Sequence, residues 1–141
     1  MKIDEIHNGY VLDHIRAGRS MEIYRALGLD SLDCTVAIIK NVPSRKLGKK
    51  DIIKIDEDIV LDLAALGYID PNITINVIKD GLLVEKQHLK PPAVLVNVVK
   101  CKNPRCITST EQEIDQIFRL SHSGGKDVYR CAYCEMQAGT Q

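Results

Sequence analysis

Four cysteines near the C-terminus constrain the fold of this chain more than any other feature. Cys101-Lys-Asn-Pro-Arg-Cys106 is a C-x4-C pair and Cys131-Ala-Tyr-Cys134 a C-x2-C pair, with 24 residues between them. Each pair can bind one face of a tetrahedral ion from a tight turn, and four thiolates close the coordination sphere. A closed set leaves no position for a catalytic water, so the spacing predicts one structural Zn2+ per chain. Disulfides or four unrelated buried thiols are the alternatives, and iron also accepts an S4 tetrahedron. A redox role for Cys131 and Cys134 would need a thioredoxin-type βαβ unit around them, and none is evident. Cys34 stands far from the other four and is expected to be a small buried apolar residue.

The ninety residues before this cluster read as a separate domain. YVLDHI (10–15) has the character of a strand, and a helix follows from Ser20 as N-cap to Gly28 as stop. TVAIIKNV (35–42) and KDIIKID (50–56) are strands joined through the basic turn SRKLGKK. IVLDLAALG (59–67) is apolar at helical spacing and ends at glycine. ITINVIK (73–79) and LLVEKQ (82–87) flank Asp80-Gly81, a pair that readily adopts positive φ in a hairpin. The order is β-α-β-β-α-β with one strand appended. It predicts an α+β, ferredoxin-like antiparallel sheet with two helices on one face. Lys90-Pro91-Pro92 then breaks the pattern and marks a boundary between domains 1–90 and 91–141. VLVNVV (94–99), IDQIFRLS (114–121) and DVYRCAYC supply strands for a small all-β domain. That lobe is too short to hold a core without a cross-link, and a metal provides one.

The polar residues of the first domain are open to two readings. Lys50 and Lys54 lie four apart on one strand, so they share a face, while Ile53 and Ile55 take the other. With Arg45, Lys46 and Lys49 nearby they suit a polyphosphate, or they are ordinary solvated lysines. Asp13-His14 at a strand end and Asn76 between Ile75 and Val77 are either ligand contacts or satisfied structural polar groups. No Walker loop, paired carboxylates or Ser-His-acid arrangement is visible. With 19 basic against 19 acidic residues and few aromatics, a nucleic-acid-binding zinc ribbon is the weaker alternative. The N-terminus is charged from its second residue and no apolar run reaches membrane-spanning length, so a soluble, cytoplasmic protein without a membrane partner is expected.

Taken together, GYVLDHI (9–15), NVPS followed by LGKKDIIKI (47–55), TINVI (74–78), and CKNPRC with CAYC resemble the regulatory chain of aspartate carbamoyltransferase. The resemblance implies a nucleotide-binding allosteric domain at 1–90 and a zinc-binding domain at 91–141 that contacts the catalytic chain. It implies no catalytic activity here. Regulatory dimers would join catalytic trimers, with CTP inhibiting and ATP activating a step of pyrimidine biosynthesis. Carried over, the site would place Ile3, Asp4 and Ile6 near the base, and Val11, Asp13 and His14 along ribose and phosphates. Lys50, Lys54 and Lys86 would supply charge, with Asn76, Ile78 and Leu83 completing the pocket. Asn103, Tyr133 and Glu135 would touch the catalytic chain. Two features depart from the family: a short leading segment, and Gly81 and Leu83 where bulkier or branched pocket residues are expected.

Overall fold

The computed structural model describes residues 6–138. The chain divides into two compact units, Met1–Pro91 and Pro92–Gln141. Among the described residues no helix is long and apolar enough to cross a membrane.

The first unit is built from β1 (Gly9–Arg16), α1 (Ser20–Ala26), a 3-10 turn at Leu29–Ser31, β2 (Val36–Ser44), β3 (Gly48–Ile55), α2 (Leu63–Ile69), β4 (Thr74–Lys79) and β5 (Leu82–His88). The sheet order is β2-β3-β1-β4-β5 with every neighbouring pair antiparallel, as the split βαβ pattern predicts. Alternation along β1, β3 and β4 sends Leu12, Ile53, Ile55 and Ile75 to one face. There they form a single buried cluster with Ile23 of α1 and Leu66 of α2. Both helices therefore cover the same face. Each such side chain contributes about 1.5–3 kcal/mol when removed from water.

Two bulges interrupt this regularity. In β1, Asp13 and His14 together oppose Ile52, so Leu12 and Ile15 both reach the core although they are three apart. In β2, Lys40 and Asn41 together oppose Asp51. His14 and Asn41 both sit at φ of 60°.

Several element boundaries differ from those expected. Ser20 is not the N-cap of α1: Arg19 holds that position, and Ser20 is buried inside the first turn. Residues 59–62 are not helical. They form an irregular strap tied down by the Tyr10 hydroxyl, which donates to the Ile59 carbonyl at 2.7 Å. The second helix begins after Asp62, whose carboxylate accepts from the Ala65 amide, and it continues through Gly67 to Ile69. Pro71 prevents its extension, because the residue before a proline is steered out of helical conformation. Cys34 is half-buried against the core.

The second unit contains β6 (Val94–Val96), a helical turn α3 (Ile107–Thr110), β7 (Ile117–Ser123) and β8 (Lys126–Cys131), in the order β6-β7-β8. The first strand is shorter than its apolar run predicts. Asn97 turns out at φ of 57° and exchanges hydrogen bonds with Asp115 and Gln116 instead. Its buried apolar residues among those described are Leu95, Phe118, Cys106 and Cys131.

Candidate functional site

Cys101 and Cys106 flank a turn closed by the Cys106 amide donating to the Asn103 carbonyl at 3.1 Å. Cys131 ends β8 and Cys134 lies in the turn after it. The four Sγ atoms lie within 4.8 Å of one another, with Cys101 to Cys134 at 3.5 Å and Cys106 to Cys131 at 3.7 Å. None of them is in a disulfide. A zinc ion with Zn–S bonds of about 2.3 Å requires tetrahedral edges of about 3.8 Å, so the cluster already has the dimensions of a zinc-thiolate site. The surroundings favour thiolate at two positions. The Met136 amide and the Asn103 side chain bring Cys134 down to about 6, and Thr108, through its hydroxyl and amide, lowers Cys106. Burial pushes Cys101 up to about 12, the position at which a cation must displace the proton. With four protein ligands the ion has no open position, and the site is structural.

Residues that cysteine spacing does not reveal hold this centre in shape. Thr108 donates to Cys106 Sγ at 3.1 Å. Gln116 accepts from the Cys101 amide at 3.0 Å and donates to the Thr108 carbonyl, tying the first cysteine turn to the segment before β7. Sequence carries no periodic signal for either. Asn103 is less free than expected: its Oδ1 accepts from the Arg105 amide, its carbonyl from the Ser109 hydroxyl, and its side chain lies by Cys134. Tyr133 is 45% exposed, and Glu135 is exposed at φ of 65°.

The helix-free face of the first sheet gathers the other candidates. Cross-strand register places Lys54, Val11, Asn76 and Lys86 in one row over β3, β1, β4 and β5. Three strand spacings separate the two lysines, about 14 Å. Ile78 and Leu83 pair beside this row, Ile78 half-buried and Leu83 exposed. The β1 bulge brings both Asp13 and His14 to the region. Lys50 Nζ lies 2.9 Å from Asp13 Oδ1, and His14 Nδ1 lies 3.2 Å from Thr74 Oγ1. Burial pushes Asp13 up, but Lys50 and the His14 amide more than offset it and hold the carboxyl below its usual range. Asn76 donates to the Val11 carbonyl at 3.3 Å. Lys54 and Lys86 make no ion pair among the described residues, so the two lysines that look alike in sequence differ here: Lys50 is paired and Lys54 is not. Ile6 is buried. Ile3 and Asp4 lie outside the described residues. Gly81 occupies the hairpin turn at φ of 77° and so is not one of the face residues.

Comparison with known proteins joins the two units. The family model described as aspartate carbamoyltransferase regulatory chain, allosteric domain, matches residues 1–90. The model of the metal binding domain of the same chain matches residues 93–141. The chain belongs to the aspartate carbamoyltransferase regulatory chain family. Relatives of that name include one from Clostridium botulinum, 49% identical over 135 residues covering 96% of this chain and 92% of the relative. Another from Clostridium tetani is 46% identical over 136 residues, covering 96% and 94%. One from Bifidobacterium longum is 40% identical over 138 residues, covering 98% and 99%. As a member of this family the chain is a non-catalytic regulatory subunit of an allosteric enzyme in pyrimidine biosynthesis.

Proposed function

We propose that the helix-free face of the first unit binds nucleotide effectors, and that the zinc unit attaches the chain to the catalytic chain of aspartate carbamoyltransferase. The observation that carries the first part is the row of Lys54, Val11, Asn76 and Lys86, with the Asp13–Lys50 pair beside it. Val11 and Ile78 offer apolar contact to a base, and the Asn76 amide can read a base edge. Asp13 accepts from ribose hydroxyls. Lys54 and Lys86 meet phosphates without first giving up a carboxylate partner. CTP acts as inhibitor and ATP as activator in this reading, each binding two quaternary states unequally and shifting their populations.

For attachment, the zinc turns present Tyr133 and Glu135 in fixed positions at little entropic cost, with Asn103 bracing the turn from within. Regulatory chains pair as dimers that join catalytic trimers in the cytoplasm.

Lys54→Ala is the deciding variant. A lysine facing phosphate oxygens does not distinguish bases, and a well-made charge-assisted contact is worth about 1.5–3 kcal/mol. Titration calorimetry of the zinc-loaded chain should show CTP and ATP weakened together, by about tenfold to a hundredfold. Wild-type affinity for both would remove nucleotide binding from this face.

A further inference from the structure

A second cationic site lies at the end of the first sheet, where the β1–α1 loop meets the β2–β3 turn. Arg16, Ala17, Lys46, Leu47, Gly48 and Lys49 line a shallow, open hollow of about 660 Å³. Three of the six are cations and none is an acid. Arg16, Lys46 and Lys49 make no ion pair among the described residues. Arg19 nearby is different: it is occupied by Glu22 and by the Ile69 carbonyl. The carboxylates of the adjoining elements are also committed, Asp51 to the Gly18 and Asn41 amides and Asp70 to the Arg16 and Asn72 amides. Three cationic residues thus line one concavity, and the neighbouring carboxylates are engaged by backbone amides.

The frame around the hollow is fixed. Ser44 Oγ accepts from the Leu47 amide at 3.2 Å, and Gly48 closes the turn at φ of 79°. Asp51 Oδ2 clamps the other wall through the Gly18 amide at 3.1 Å. Ala17 and Leu47 supply an apolar surface. Strand alternation separates Lys49 from Lys50 and Lys54, so this hollow is not an extension of the row around Val11.

We infer that this hollow is an accessory site for a small phosphoanion of the diphosphate class. Such an anion offers oxygens to two or three cations at once, and binding it links the β1–α1 loop to the β2–β3 turn. The inference is independent of nucleotide binding at the sheet face.

Inorganic pyrophosphate is the probe, applied to the intact zinc-loaded chain by equilibrium dialysis and by 15N NMR. The expected result is one pyrophosphate per chain, with shifts at the amides of Ala17 and Gly48. Lys46→Gln combined with Lys49→Gln should weaken it by about tenfold to a hundredfold, while Lys54→Ala leaves it unchanged. Both lysines are exposed, so the double variant should keep its melting temperature. Absence of binding overturns the inference. So does binding that is lost in Lys54→Ala, with shifts at Val11 and Asn76, and so does equal binding in all variants.

Discussion

Asp51 shows how one side chain governs the shape of the regulatory unit. It is fully buried on the core face of β3, where alternation would otherwise place an isoleucine. No lysine or arginine pairs with it among the described residues. It holds the β2 bulge through the Asn41 amide at 3.0 Å and the β1–α1 loop through the Gly18 amide. Burial pushes its carboxyl up, but these donors outweigh that and hold it below the usual carboxylate range. The consequence for stability has a definite sign. Above about pH 5 the group is ionised in folded and unfolded chains alike, and its stabilisation is fully present. As pH falls toward the depressed folded value, the unfolded chain takes the proton first and stability is lost. Asn at this position turns one acceptor into a donor facing an N–H. Asp51→Asn should therefore cost roughly 1–3 kcal/mol in urea unfolding at pH 7. It should also flatten the decline of stability below pH 4. An unchanged acid limb would show that Asp51 does not anchor the bulge.

At the scale of elements, β1 is the centre of the fold, paired to β3 on one side and β4 on the other. Its first residue has to be glycine for a spatial reason. A Cβ at Gly9 would lie 1.9 Å from the Ile55 carbonyl oxygen and 2.8 Å from the Glu57 amide, both backbone atoms with no room to retreat. Gly9→Ala should prise the end of β3 from β1 and destabilise the unit by more than the roughly 1 kcal/mol typical of substitutions. Hydrogen exchange should speed up at Tyr10 and Ile55. Gly81→Ala makes a useful contrast, since that glycine has open space and only its positive φ to lose. If Gly9→Ala unfolds at the wild-type urea concentration, the close approach is not structural.

For the whole molecule, the two units are stabilised by different means. The first, among its described residues, has nine fully or nearly fully buried aliphatic side chains in one cluster. The second, among its described residues, buries Leu95, Phe118, Thr108 and two of the cysteines. So small a core leaves its folding dependent on the metal, because zinc binding free energy is folding free energy in such a lobe. A strong chelator should release one zinc per chain and abolish amide protection from β6 onward. Amides of β1, β3 and β4 should keep their protection, and association with the catalytic chain should be lost. Joint loss of protection in both units would show that the first depends on the second. Tyr133→Ala with Glu135→Ala should weaken association while retaining zinc.

Much of this was legible in the chain itself. Cysteine spacing marked the metal centre, since thiolate coordination needs only two tight turns brought together. Alternation located the strands of the first unit and put Lys50 and Lys54 on one face, because pleating makes that parity local. Asp80-Gly81 marked its hairpin, as positive φ is a property of those residues. What local pattern could not supply was anything set by contact across the fold. The strap at 59–62 is apolar at helical spacing, yet it is not helical and is tied to β1 by Tyr10. Asp51 has the same parity as Ile53 and Ile55, but its role depends on amides brought to it by the β2 bulge and the β1–α1 loop. Lys50 and Lys54 became distinct only when the β1 bulge set Asp13 against one of them, and Gln116 joined the metal centre only by reaching back to the Cys101 amide and the Thr108 carbonyl. Periodicity and spacing are encoded along the chain, while partner choice for a buried polar group exists only once the chain has closed around it.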